Sequence, residues 1–238
     1  MTDYKKTLTV FLFAATVIYL CPGTRAANGA DNVQGKNVPT VEAVKVDKEP
    51  VIDGKLDEPL WTQIALDQKG VMAGWRLYGS AVKQPTLAPQ NRIAYVCYDD
   101  KNLYIGMQAF MVDVMELCTD KNSSVFTNVC LEVHIKLPDG KYYQLGIDAL
   151  GRIGGGQITG FGDILAIHGA AGMSDNFWTA ELAIPWNFLG IVPKAGLEIG
   201  FNLAANVANQ GTKGTARQSI TWAPSYWVKN YEAKLRLR

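Results

Sequence analysis

Ile93-Ala94-Tyr95-Val96-Cys97-Tyr98, then Asp99-Asp100-Lys101-Asn102, then Leu103-Tyr104-Ile105-Gly106-Met107-Gln108-Ala109 is the stretch that decides the fold. Two runs of aromatic and β-branched residues flank four polar turn residues, which is the pattern of a β-hairpin. A second hairpin follows: Val129-Cys130-Leu131-Glu132-Val133-His134-Ile135, a Pro138-Asp139-Gly140 turn, and Tyr142-Tyr143-Gln144-Leu145-Gly146-Ile147. Further strands are expected at Phe177–Ile184, halted by Pro185, at Leu197–Val207, at Ser219–Trp222 and at Ala233–Leu237. Helical signal is confined to Pro59–Ala65, with Asp57 as its cap, and to Trp186–Leu189 after Pro185. Many short strands with regular turns predict an all-β fold, an antiparallel β-sandwich of the immunoglobulin-like or jelly-roll type with one or two short helices.

Composition narrows the function classes. Of the 238 residues 48% are hydrophobic and 19% charged, as in a folded globular protein. Lys plus Arg (23) nearly cancel Asp plus Glu (22), so there is no global basic field to hold a nucleic acid. The two histidines, His134 and His168, leave few ways to build a His-rich metal site or a His-based triad. Gly151-Arg152-Ile153-Gly154-Gly155-Gly156 lacks the Lys-Ser/Thr and the following helix of a phosphate loop, and reads as a mobile loop.

The N-terminus reads as an address. Lys5 and Lys6, an apolar run from Leu8 to Leu20, and the small-residue site Thr24-Arg25-Ala26 predict a signal peptide over residues 1–26. The run is shorter than the ~20 residues of a membrane span, so the mature chain carries no span from it. Export would place the protein in the periplasm, outside the cell or at its surface. Residues 27–40, rich in Asn and Gly, read as a flexible leader, and 41–238 as one domain. In an oxidising compartment Cys97, Cys118 and Cys130 predict one disulfide and one buried thiol, with the pairing left open.

Val51-Ile52-Asp53-Gly54-Lys55-Leu56-Asp57-Glu58-Pro59-Leu60-Trp61 resembles the "DGxLDExxW" opening of carbohydrate-binding module family 9. The rest follows in that family's order: Leu103-Tyr104-Ile105, the acid-centred strand Val129–Ile135, Tyr143-Gln144, Trp178-Thr179-Ala180-Glu181-Leu182-Ala183-Ile184-Pro185, Gly200-Phe201-Asn202, Thr221-Trp222-Ala223-Pro224 and Leu235-Arg236-Leu237. The resemblance covers about residues 47–238. It implies a β-sandwich that holds a mono- or oligosaccharide between two aromatic rings, with polar groups taking the hydroxyls. Carried over residue by residue, the rings are Phe126, six residues before Glu132, and Trp227 before the last strand. Glu132 and Gln144 become hydrogen-bond partners, and Asp113 a further acceptor. Gly146 stands where sugar-binding members carry Arg, and Thr127-Asn128-Val129 stands where they carry an acidic pair. The resemblance also implies structural calcium at Asp53, Asp57 and Glu58, whose plainer role is capping the following helix, and polysaccharide-degrading enzymes as partners.

Two other classes compete. Related sandwiches of electron-transfer chains hold haem b, for which Met107, Met111, Met115 or His134 would be axial ligands; without a CxxCH motif covalent haem is excluded. A glycoside hydrolase needs two carboxylates flanking one cleft, and Glu132, Glu181 and Asp148 are the candidates. Trp61, Trp178, Trp186 and Trp222 sit within the apolar pattern and read as core.

Overall fold

The first hairpin forms as its residues dictate. β4 (Arg92–Tyr98) and β5 (Asn102–Phe110) pair antiparallel, with Ile93 opposite Gln108 and Val96 opposite Ile105. Asp99 closes the turn: its Oδ1 accepts the backbone N–H groups of Lys101 and Asn102, each at 2.7 Å. The computed structural model of the chain describes residues 38–78, 87–88, 92–110, 124–157, 164–174, 176–208, 217–224 and 233–238. The signal peptide and most of the leader lie outside these residues, as do Asp113, Trp227, Met111, Met115 and Cys118.

Among the described residues the fold is all-β, with thirteen strands in one hydrogen-bonded sheet. The second hairpin is β6 (Cys130–Lys136) and β7 (Tyr142–Asp148), continued by β8 (Ile153–Gln157) on the far side of β7. Thus the glycine-rich segment read as a loop is largely a strand. β9 (His168–Met173) and β10 (Phe177–Pro185) extend the first hairpin from β5. β11 (Glu198–Ala208) pairs with β6, and β12 (Arg217–Thr221) with β11. β2 (Val71–Met72) adds to β4, and β3 (Arg76–Tyr78) to β12.

The two halves are joined through β1 (Thr40–Lys45) and β13 (Lys234–Leu237). Residues 40–43 of β1 run parallel to β13, and Val44 and Lys45 run parallel to β4. The expectation of a purely antiparallel sheet is therefore corrected at β1. Both strands that β1 pairs with run parallel to it.

Alternate residues of both halves point into one core: Leu131, Val133, Leu145, Ile147, Phe201 and Leu203 from one, Val96, Ile105, Met107, Trp178, Ala180 and Leu182 from the other. The ends of the sheet path approach each other, since a methyl group on Gly169 of β9 would meet Ile153 Cδ1 of β8 at 3.0 Å. Trp61, Trp178 and Trp186 are buried and Trp222 is half-buried, as their apolar setting predicted.

Helix α1 (Pro59–Asp67) is longer than the one or two turns expected and buries Trp61 and Ile64 against the outer side of β4 and β5. Asp57 does not cap it. Glu58 occupies the cap position in extended backbone and makes no side-chain capping bond; its Oε1 accepts the Val51 N–H at 3.0 Å. A second helix, α2 (Trp186–Leu189), follows Pro185 as expected. No described helix is long and apolar enough to cross a membrane.

The expected disulfide is also corrected. Cys97 and Cys130 are free, buried thiols on β4 and β6, one under α1 and the other against β11. Burial pushes the Cys130 thiol up to about 12, with Glu132 adding to the effect, and raises that of Cys97 as well.

Candidate functional site

Strand parity places a polar face on the half made by β7, β6, β11 and β12. Their odd-one-out residues, those not in the core, are Gln144, Glu132, His134, Asn202, Asn206, Ser219 and Thr221. Glu132 is 2% exposed and His134 0%, although both point away from the core. Buried polar side chains of this kind require partners, and the structure supplies them.

Glu132 is the centre of the network. Its Oε2 accepts Gln144 Nε2 at 2.8 Å and lies 3.4 Å from His134 Nε2. Its Oε1 accepts Asn206 Nδ2 at 2.9 Å, and the same amide also donates to the Phe126 carbonyl at 3.0 Å. Asn206 Oδ1 in turn accepts the Ser219 hydroxyl at 2.9 Å. On the other side His134 Nδ1 shares a hydrogen bond with the Tyr142 hydroxyl at 3.0 Å. Asn202 donates to Thr221 Oγ1 at 2.7 Å and accepts the Ala223 N–H at 3.0 Å, tying β12 and its exit into the same face.

Phe126 lies on a short 3-10 turn, Val125–Thr127, that reaches over β7 and β8. The glycines beneath it are required by space. A Cβ at Gly146 would come within 2.7 Å of Phe126 Cε1, and one at Gly154 would meet Val125 at 3.1 Å. The Gly for Arg departure at residue 146 thus makes room for the ring. Phe126 is half-buried, and Gly146 beneath it is the register partner of Glu132.

Of the residues expected to form a sugar slot, Phe126, Glu132 and Gln144 come together; Trp227 and Asp113 lie outside the described residues. The parts of Asn206, Ser219 and Tyr142 were not foreseen. Their signal was the even spacing with Glu132 and Gln144 along neighbouring strands, which needs the register to be read.

Among the described residues the candidates for the competing constellations sit apart or are engaged elsewhere. Glu181 and Glu132 sit on strands of different halves, each facing away from the core between them. Asp148 is buried and bonded to Arg152 at 2.6 Å and to Asn128 Nδ2 at 2.8 Å. Met107 points into the core whereas His134 points to the other side of β6, so they are not a shared ligand pair. Asp53 is engaged by Lys55, whose Nζ lies at 2.8 Å, and among the described residues no three His, Cys, Asp or Glu side chains cluster as a metal cage.

Glu181 has a different task. Its Oε2 accepts the N–H groups of Asp53 at 3.1 Å and Gly54 at 2.9 Å, and its Oε1 accepts Trp61 Nε1 at 3.1 Å. Burial dominates over these donors and pushes its carboxyl up to about 7, with Glu58 adding repulsion. A cleft of about 950 Å³ opens beside Tyr104, Trp186 and His168, and none of its lining residues belongs to the Glu132 network.

No protein-family profile matches the chain. No curated protein matches it either. Solved structures do. A family 9 carbohydrate-binding module from Caldicellulosiruptor kristjanssonii in complex with cellotriose is 17% identical, with a TM-score of 0.58 over 84% of this chain and 93% of that one. The glucose complex of a family 9 module from the same organism is 16% identical, with a TM-score of 0.58 over 84% of this chain and 95% of that one. A Bacteroides uniformis protein assigned to carbohydrate binding is 13% identical, with a TM-score of 0.60 over 84% and 99%. The chain has the fold of carbohydrate-binding module family 9.

Proposed function

We propose that this protein is an exported, non-catalytic carbohydrate-binding module. The observation that carries the reading is the Phe126 ring standing over Gly146 beside the buried Glu132, Gln144 and Asn206 network. An aromatic face suits the apolar C–H side of a pyranose ring, and fixed carboxylate and amide groups at its edge suit the hydroxyls. Neighbours of the same fold bind cellotriose and glucose, which supports sugar as the ligand class. In this reading Trp227 supplies the opposing ring, Asp113 a further acceptor, and the two halves of the sheet stack as sandwich layers. The module would hold its bearer, or a polysaccharide-degrading enzyme, near its substrate, and calcium would be structural if bound.

The test is isothermal titration of the protein with glucose and cellotriose, with and without calcium. Saturable binding, weakened by Phe126→Ala and Trp227→Ala, is expected. Absence of binding by a folded protein across a wider sugar panel would overturn the reading.

A further inference from the structure

We propose that Tyr142 is a second aromatic platform of the same face, so that the site takes an oligosaccharide of about three rings rather than a single sugar. This inference rests on the carbohydrate-binding reading above and specifies its ligand.

Tyr142, Gln144 and Gly146 alternate along β7 and so share one side of the sheet. Phe126 stands over Gly146 at one end of this row. Tyr142, half-buried, stands at the other, four residues away, which is about 13 Å of strand. That span exceeds one pyranose ring. Between the two aromatics lies Gln144, half-buried, whose amide can meet a hydroxyl; Glu132 and His134 on the neighbouring strand are buried, and Glu132 fixes the Gln144 amide at 2.8 Å.

Tyr142 is also held in place. Its hydroxyl is hydrogen-bonded to His134 Nδ1, and His134 Nε2 lies 3.4 Å from Glu132 Oε2. The two rings are tilted by 52° with centroids 6.1 Å apart, so the imidazole braces the phenol from the side. Fixing an aromatic ring in advance lowers the ordering cost of a ligand that stacks on it.

The experiment is titration of the full chain with glucose and with cellotriose. Wild type should bind cellotriose about tenfold more tightly than glucose, the size of one added stacking contact. Tyr142→Leu should bring that ratio close to one, and Tyr142→Phe, which keeps the ring, should retain most of it. Equal affinities in wild type, or an unchanged ratio in Tyr142→Leu, would overturn the proposal. The wild-type comparison decides the matter even where the leucine variant does not fold. Binding of neither sugar would overturn the carbohydrate reading itself, a result distinct from equal binding of both.

Discussion

The Trp61 indole N–H donates to Glu181 Oε1 at 3.1 Å, across 120 residues of chain. The same carboxylate receives the N–H groups of Asp53 and Gly54, so one acid on β10 gathers the turn and the helix that follow β1. Gly54, at φ +86°, is pressed so closely onto β9 that a Cβ would lie 2.6 Å from the Ala171 carbonyl carbon. The "DGxLDExxW" stretch and the Trp178–Pro185 stretch are therefore two sides of one clamp. Replacing Glu181 by Ala orphans three donors, and at 1–3 kcal/mol for each buried group the expected loss is about 3 kcal/mol or more of unfolding free energy. Urea denaturation of wild type and Glu181→Ala checks this.

The same group sets a pH dependence. Burial pushes its carboxyl up to about 7 in the folded protein, above the ordinary carboxylate value of about 4.5, so the folded state retains a proton that the unfolded chain gives up. Stability from this residue is complete below about pH 4.5 and declines as the pH rises to 7, at about 1.4 kcal/mol per pH unit. Denaturation at pH 5 and pH 8 should show that decline in wild type, and Glu181→Gln should lose most of it.

Gly146→Ala places a methyl group 2.7 Å from Phe126 Cε1, closer than the two can sit. The ring must move, at about 1–3 kcal/mol for overpacking. Sugar affinity should fall several-fold, and calorimetry with cellotriose reads the change; unaltered affinity would separate Phe126 from the ligand.

Asn206→Ala removes the amide that holds both Glu132 Oε1 and the Phe126 carbonyl. Sugar binding should weaken at least about tenfold, the equivalent of 1.4 kcal/mol. Ser219→Ala, which removes the hydroxyl donated to Asn206 Oδ1, should act in the same direction with a smaller effect.

Cys97 and Cys130 should resist a water-soluble thiol reagent in the native protein and react on unfolding, because both are buried and their thiols are held in the protonated form. Peptide mapping after labelling distinguishes them from the other cysteines.

The strands rich in aromatic and β-branched residues were legible in the sequence, since β4, β5, β6, β7 and β10 carry strong strand preferences. β8 and β9 were not, because Ile153–Gln157 and His168–Met173 consist largely of Gly and Ala, which lack that preference. Their small residues answer to what packs on them: Val125 over Gly154, and Leu182 and Ile153 around Gly169. Among the candidate site residues, Phe126, Glu132 and Gln144 were carried over from the resemblance to family 9 modules, and the structure brings them together. Asn206 and Ser219 did not, since their nearness to Glu132 arises from the pairing of β11 with β6 and β12, which no local pattern encodes. The disulfide expectation failed because cysteine counts say nothing of which strand, or which side of it, each thiol occupies.

The parallel pairing of β1 with β13 has a kinetic side. Val41 finds its partner in Leu235 and Ala43 in Leu237, while Glu42 receives the Arg238 guanidinium at 2.7 Å. A ribosome delivers β1 nearly two hundred residues before β13, so the seam between the halves stays open throughout synthesis. Contacts of such long range must await loop closure and place the domain among slow folders. During that wait β1 has an unpaired edge, which is the surface a chaperone or a neighbouring copy would meet first.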